Sequence, residues 1–137
     1  MRLVPALLLP LAVAACAPAA PIEATPLDSP FAPPAPSTKI IPCGEFGLPQ
    51  GKGLPETAMR CIIDAAAQGR PAGLKETRPT VEGDPISTWY RVRADGSVEV
   101  TRDTTKDRFG NQGIVREVCT GPAAGPGVLT FTRCDPA

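Results

Sequence analysis

The sequence predicts an α+β domain, in which one N-terminal helix packs on a small antiparallel β-meander of about four or five strands stabilised by disulfides. Apolar residues recur at helical spacing between Pro55 and Gly69, and alternating apolar residues follow from position 86. Four cysteines lie within residues 43–137. A domain this small buries only about 60% of its unfolded surface, so cross-links are a reasonable supplement to its core.

The helix is indicated by its ends and by its apolar face. Pro55 suits a first helical turn, Glu56 complements the helix dipole there, and Gly69 lies where a C-terminal cap is expected. The apolar positions fall at i, i+3, i+4 and i+7: Ala58, Cys61, Ile62 and Ala65. Their small side chains predict close packing of the helix on a sheet.

The first hairpin is predicted around Asp95-Gly96, and its register selects the turn. A two-residue loop would mix apolar and polar side chains on each face. A three-residue loop over 94–96, with Gly96 in the left-handed region, keeps the apolar residues together. That loop pairs Val92 with Val98, Tyr90 with Val100 and, on the outer face, Arg91 with Glu99.

Three further strands are predicted at 74–78, 113–119 and 128–134, with the Gly- and Pro-rich segment 121–127 as a loop before the last. In an antiparallel meander, the loop after the first strand and the loop after the hairpin lie at the same end of the sheet. The Asp95-Gly96 turn lies at the other end.

Four cysteines allow three pairings, and the local choice is Cys43 with Cys61 and Cys119 with Cys134. The second bond meets a difficulty, because placing all the apolar residues of the last two strands on one face slides the two cysteines apart. A bulge or a shorter final pairing is needed if that bond forms.

The N-terminus has the pattern of an export signal over residues 1–15. One arginine precedes an apolar run of 13 residues, which is too short to span a bilayer as a helix. The run ends in Val13-Ala14-Ala15-Cys16, which resembles the lipobox of bacterial lipoproteins. The resemblance implies that Cys16 carries a diacylglycerol and, after cleavage before it, an acylated amine such as a palmitate. The alternative is an ordinary secretory signal cut near Ala14 or Ala19.

The cysteine count agrees with lipidation. Five cysteines leave one unpaired in an oxidising compartment, and modification of Cys16 leaves an even set. Ala17 follows the cysteine, and by the resemblance a residue other than Asp there implies the outer membrane. We therefore expect a protein of the bacterial cell envelope, anchored by lipid and facing the periplasm.

Residues 16–42 are predicted to form the lipidated cysteine and a disordered, Pro-rich tether, followed by the domain at 43–137. Eight prolines lie among Ala, Ser and Thr, a composition that buries too little apolar surface to fold. The tether is interpreted as a spacer between membrane and domain. The alternative, a Pro-rich ligand for a partner, depends on Pro33-Pro34-Ala35-Pro36.

Composition excludes several function classes. The chain has 14 Lys and Arg against 14 Asp and Glu, so no net charge directs it to nucleic acid. It contains no histidine, which removes Ser-His and Cys-His nucleophile pairs and the commonest metal ligand. No phosphate-binding loop, dinucleotide motif or zinc-ligand spacing is present, and we expect no cofactor and no metal.

Two acidic phrases carry a second resemblance. They are Thr80-Val81-Glu82-Gly83-Asp84-Pro85-Ile86 and Asp103-Thr104-Thr105-Lys106-Asp107-Arg108-Phe109-Gly110. They resemble an uncharacterised family of bacterial lipoprotein domains that carries T-x-E-G-D-P-I followed by D-x-T-x-D-x-[FY]-G. The resemblance covers residues 74–134 and implies no established activity.

These phrases fall at one end of the predicted meander, so their side chains are candidates for a site: Glu82, Asp84, Asp103, Asp107 and Arg108. Three interpretations remain open. In the first, they form a structural network with the loop amides and with four interleaved cations: Arg78, Arg102, Lys106 and Arg108. In the others, they form a binding surface for a glycan, cation or protein, or a pair of catalytic carboxylates. Calcium is disfavoured because Arg108 stands where an EF-hand loop requires glycine.

Trp89 alternates away from the apolar face, and the segment around Phe46 and Leu48 is predicted to fold over it. The alternative is an exposed Trp89 beside Arg93 that stacks on a sugar or a partner. As a whole, the sequence favours a lipid-anchored envelope protein with a non-catalytic binding or interaction role. The alternatives are a small carboxylate-dependent enzyme acting on envelope glycans, and an inhibitor-like module that docks on another envelope protein. A catalytic site requires close carboxylates in a concave pocket, whereas docking requires an exposed aromatic or apolar patch.

Overall fold

The computed structural model describes residues 39–137. The predicted signal peptide at 1–15, Cys16 and most of the tether lie outside the described residues. The elements in chain order are β1 (Ile41–Gly47), α1 (Glu56–Ala67), β2 (Ala72–Pro79), β3 (Pro85–Val92), β4 (Val98–Asp103), β5 (Ile114–Thr120), β6 (Ala123–Ala124), β7 (Leu129–Thr130) and β8 (Arg133–Pro136). No helix within residues 39–137 is long and apolar enough to cross a membrane.

One helix packs on a sheet, as an α+β fold requires, but the sheet is larger than predicted. It has six strands in the order β1-β2-β3-β4-β5-β8, where four or five were expected. All neighbours pair antiparallel except β1, which pairs parallel with β2. The parallel pair is possible because α1 lies between the two strands in the sequence. The helix returns the chain to the end of the sheet where β1 began, so β2 runs in the same direction as β1.

The strand β1 was not predicted, and it includes Ile41 and Pro42 at the end of the segment assigned to the tether. Two features hide it in the sequence. Pro42 cannot donate to a ladder, and Gly44, at φ 117°, forms a bulge where the pairing with β2 shifts register. Such residues are tolerated here because β1 is an edge strand.

The helix agrees with the prediction. It begins at Glu56 after Pro55, and it ends before Gly69, whose φ of 59° lies in the left-handed region. The amide of Arg70 donates to the carbonyl of Ala65 at 2.9 Å and caps the C-terminal end of α1. The buried side chains of α1 are Ala58, Met59, Ile62, Ala65 and Ala66.

The predicted hairpin register is confirmed. Val92 lies opposite Val98, Tyr90 opposite Val100 and Arg91 opposite Glu99. In the turn, the amide of Gly96 donates to the carbonyl of Arg93, and Gly96 has a φ of 80°. The side chains on this side of the sheet, the helix face, form the core with α1. Val92, Val98 and Ile62 there are 1% exposed or less.

The predicted strand 128–134 is divided. Leu129–Thr130 leaves the main sheet and pairs with Ala123–Ala124, within the segment predicted as a loop, and only Arg133–Pro136 pairs with β5. This division resolves the conflict over the last disulfide, since Leu129 reaches the core from a separate two-stranded sheet. Cys119 then lies directly opposite Cys134, and their Cα atoms are 4.0 Å apart.

Both predicted disulfides are present. Cys43–Cys61 joins β1 to α1, and Cys119–Cys134 joins β5 to β8. Each therefore attaches an edge strand, which has a ladder on one side only, to a neighbouring element. All four cysteines of the described residues are used in these bonds.

Candidate functional site

The loops at 80–84 and 104–113 lie at one end of the sheet, as predicted, and Asp84 joins them. Its carboxylate accepts hydrogen bonds from the backbone amide of Arg108 at 2.9 Å and from the guanidinium Nε of Arg108 at 2.8 Å. Asp84 is only 5% exposed. We call residues 80–84 and 104–113, so joined, the loop pair.

The first loop is a tight turn built by Thr80, Gly83 and Asp84. The amide of Thr80 donates to the carbonyl of Asp84 at 2.8 Å, and the amide of Asp84 donates to the Thr80 hydroxyl at 3.1 Å. Gly83 adopts a φ of 91°, a backbone angle that residues with a Cβ rarely adopt. This geometry holds the Asp84 carboxylate facing the second loop.

In the second loop, two carboxylates satisfy the backbone. Asp103 accepts from the amide and hydroxyl of Thr105 at 2.8 and 2.6 Å. Asp107 accepts from the amides of Phe109 and Gly110 at 3.1 and 2.8 Å. These are local turns of the kind that Asp favours, so both side chains order their own loop.

The pKa values agree with carboxylates held in their ionised form. The backbone amide of Arg108, and then its guanidinium, lower the pKa of Asp84 against the opposing effect of burial. The hydroxyl and amide of Thr105 likewise lower the pKa of Asp103. A general acid needs a raised pKa near the working pH, and neither group has one.

Glu82, the fourth predicted carboxylate, is exposed in its turn, and it makes no side-chain hydrogen bond or ion pair among residues 39–137. The four carboxylates thus share one end of the sheet without converging on a common point. Within the same residues, no three acidic or cysteine side chains form a cluster able to hold a metal ion.

The loop pair displays two apolar side chains to solvent. Val81 is 83% exposed and Phe109 is 71% exposed. The guanidinium of Arg108 lies 5.6 Å from the centre of the Phe109 ring, a cation–π distance. Because Arg108 is also bonded to Asp84, this contact connects the exposed ring to the buried carboxylate.

A buried polar network, missed by the sequence analysis, lies on the helix face. The Tyr90 hydroxyl donates to Glu76 at 2.7 Å, and the other oxygen of Glu76 accepts from Arg78 Nε at 2.9 Å. Arg78 also donates to the carbonyls of Lys52 and Gly127 at 2.8 and 3.0 Å. Arg78 was predicted to interleave with the loop carboxylates and instead bonds Glu76. The strand alternation that places Leu74 inside also places Glu76 inside, and that signal could have revealed the network.

The other side of the sheet, the open face, carries Trp89. Phe46 and Leu48 were predicted to cover this ring, but both pack into the core on the helix face, because β1 adds to the sheet edge beside β2. Trp89 remains 37% exposed, and Lys75, which bonds Glu45, holds its ammonium 5.7 Å from the ring centre.

Two open grooves flank Trp89 on the open face, and both are lined by Trp89 and Lys75. The larger, of about 750 Å³, extends towards Ile40, Arg91 and Glu99. The smaller, of about 420 Å³, extends towards Ser87, Asp103 and Lys106. A ligand that follows the strands would therefore cross the indole ring.

Comparisons with known proteins leave the fold and the site to be interpreted from their own geometry. No protein-family model, curated protein or solved structure matches the chain.

Proposed function

We propose that this chain is a lipid-anchored bacterial envelope protein, held on the outer membrane facing the periplasm, whose domain is a non-catalytic interaction module for another envelope protein. The loop pair is its contact surface. The observation that carries this proposal is the display of Val81 and Phe109 on loops that the buried Asp84 holds in place.

The anchor is supported by the lipobox resemblance at Cys16 and by the pairing of the other four cysteines. Cys43–Cys61 and Cys119–Cys134 require an oxidising compartment to persist. They leave Cys16 as the odd cysteine of the five. Lipidation both explains that residue and gives the chain stable membrane affinity.

A role in binding is favoured over catalysis by how the carboxylates are used. Asp84 neutralises Arg108, while Asp103 and Asp107 satisfy loop amides. A glycosidase needs two carboxyl groups on either side of a substrate bond, one of them with a raised pKa. In the loop pair, Asp84 has a lowered pKa and accepts from Arg108, which is the opposite of what the acid requires.

The direction of the sheet supports an outward-facing contact. The chain enters β1 at Ile41, beside Ala72 at the start of β2, and the loop pair follows Pro79 at the other end. Eight residues of β2 span about 25 Å. The loop pair thus lies at the end of the domain away from the point where the tether enters.

Pre-organisation gives the two apolar side chains their value as anchors. An exposed aromatic ring on an ordered loop loses little entropy on binding, and aromatic and Arg side chains dominate binding hot spots. Phe109 beside Arg108 fits that pattern. The matching partner surface is an apolar pocket.

Site-specific photo-crosslinking in intact cells tests the contact surface. A photoreactive residue at position 81 or 109 is expected to yield the same discrete adduct, and one at Arg60, exposed on α1, is expected to yield none. Asp84→Ala should release the loops and abolish the adduct. Equal labelling at all three positions, or an adduct indifferent to Asp84→Ala, would contradict the proposal.

A further inference from the structure

We propose a second binding site, on the open face, for an oligosaccharide that carries a carboxylate: one sugar ring stacks on Trp89 and the carboxylate binds Arg91. This site is separate from the loop pair and takes a different class of ligand. The proposal of this second site does not rely on the loop pair being a contact surface.

The stacking surface is the indole of Trp89. A 37% exposed tryptophan on a strand in the middle of a six-stranded sheet presents a fixed, flat apolar surface. Lys75 already holds its ammonium near the ring, and hydroxyl groups surround it, from Thr77 and Ser87 on one side and Thr101 on the other. Flat apolar area with a polar rim matches the face and edge of a sugar ring.

The anionic part of the ligand is inferred from Arg91. The hairpin register places Arg91 opposite Glu99, but the Glu99 carboxylate bonds Arg93 at 2.5 Å instead. Among residues 39–137 no side-chain hydrogen bond or ion pair involves Arg91, which is exposed. Two residues along β3 from Trp89, it points to the same face, about 7 Å away along the strand. A guanidinium so placed binds carboxylates through paired hydrogen bonds.

The charges of the open face favour this ligand over a polyanion. Lys75 is compensated by Glu45, and Arg93 by Glu99. Arg91 and Arg116, the latter opposite Thr101 on β5, make no ion pair among residues 39–137, so the face offers separated cations that suit isolated carboxylates. A nucleic acid strand needs a continuous basic track.

The backbone of the central strands favours a glycan over an extended peptide. β2, β3 and β4 each have a neighbour on both sides, so their amides and carbonyls are used within the sheet. A peptide strand lying on this face gains no ladder of hydrogen bonds, whereas peptide binding by strand addition requires a free edge. A sugar needs only side-chain contacts. The two grooves on either side of Trp89 extend over about 13 Å of strand, enough for more than one ring.

The test uses the detergent-extracted full chain and two probes: peptide-free strands of alternating N-acetylglucosamine and N-acetylmuramic acid, and the neutral N-acetylglucosamine tetramer. Trp89 is the only tryptophan in the sequence, so its fluorescence reports this site directly. We expect the acidic strand to shift its emission and to bind about tenfold more tightly than the neutral one, about 1.4 kcal/mol.

Three variants separate the contributions. By calorimetry, Trp89→Ala should weaken both probes more than about tenfold, and Arg91→Gln should remove the preference for the acidic strand while leaving the neutral one unchanged. Phe109→Ala should leave both affinities unchanged, since it belongs to the loop pair. If positions 81 and 109 give no crosslinked adduct in otherwise wild-type protein while glycan binding is intact, only the proposed function is contradicted.

Four outcomes would overturn the second site. Three of them are an absence of binding at millimolar glycan, wild-type affinity in Trp89→Ala, and equal affinity for the two probes. A fourth is occupation of the face by the chain itself. In that case Pro33→Ala/Pro34→Ala/Pro36→Ala would change the Trp89 emission without any ligand.

Discussion

Asp84 and Arg108 are 24 residues apart in the chain, and two hydrogen bonds join them. These bonds connect the two loops of the loop pair at one end of the sheet. The bond to the amide orders the loop backbone, and the bond to the guanidinium orients a side chain that also contacts the Phe109 ring. A buried carboxylate thereby controls the position of an exposed aromatic residue. The candidate contact surface is consequently a property of both loops together.

The first prediction concerns the loop pair. Asp84→Asn keeps the shape of the side chain and removes the charge that both donors bind, so Tm should fall and proteolysis within 104–113 should increase. The matched control is Glu82→Gln in the same turn, which should change neither, because Glu82 is exposed and has no such partner within the described residues 39–137. Equal effects of the two substitutions would contradict the role assigned to Asp84.

The second prediction concerns acid stability. The pKa of Asp84 is lowered in the folded state, so this residue contributes stability above its unfolded pKa, and the contribution is lost as the pH falls through the folded value. Urea unfolding between about pH 5 and pH 3 should show falling stability. Asp84→Asn should flatten part of that slope. Part should remain, because the pKa values of Asp95 and Asp103 are lowered as well.

The third prediction concerns Tyr90. Tyr90→Phe removes the hydrogen bond to Glu76 and leaves Glu76 bonded to Arg78, so the free energy of unfolding should fall by about 1.5–3 kcal/mol. Burial, and then the bond to the Glu76 carboxylate, raise the pKa of Tyr90 above 10. Stability in the wild type should therefore fall as the pH rises past about 10, and less so in the variant.

Tyrosinate absorbance gives a direct measurement, because Tyr90 is the only tyrosine of the chain. In the unfolded protein in urea, the absorbance should rise at a pH of about 10, the ordinary pKa of tyrosine. In the native protein it should rise only at a higher pH. Identical titrations in the two states would show that the hydroxyl is not in the buried network.

The fourth prediction concerns Gly53. A Cβ added there would clash with the backbone of Gly127, because the segments around Gly53 and Gly127 are in direct contact. The amide of Leu54 donates to the Gly127 carbonyl at 2.8 Å at this contact. Gly53→Ala should lower the free energy of unfolding by about 1–3 kcal/mol, because backbone atoms must move apart. Gly47→Ala is the control, since a Cβ there meets nothing within 4 Å. Urea unfolding of both variants measures the difference.

The fifth prediction concerns the disulfides. Replacing Cys119 and Cys134 by alanine should cost about 3 kcal/mol, the value for closing a loop of about 15 residues. The Cys43–Cys61 bond spans 18 residues and should contribute a similar amount. Thiol titration of the unfolded, unreduced chain should find no free thiol among these four cysteines, and two free thiols would contradict the pairing.

Local patterns predicted α1, the hairpin and both disulfides. The hairpin register follows from residues 90–100 alone, because a turn and the alternation of side chains determine each other over that distance. The loop carboxylates were assigned to the correct end of the sheet for the same reason. Their cationic partners were predicted only in part, since Arg108 meets Asp84 as expected but Arg78 points to the helix face and bonds Glu76.

By itself the sequence determined which side chains share a face, where the turns lie and, by the resemblance at Cys16, where the chain is expected to reside. Only the tertiary structure decided the parallel pairing of β1, the division of the last strand and the choice of Arg93 over Arg91 by Glu99. The first group depends on the periodicity of residues that are close in sequence, which can be recognised without knowing any long-range contact. The second depends on which distant groups meet in space. It leaves Arg91 without an ion-pair partner among residues 39–137 and leaves Phe109 exposed.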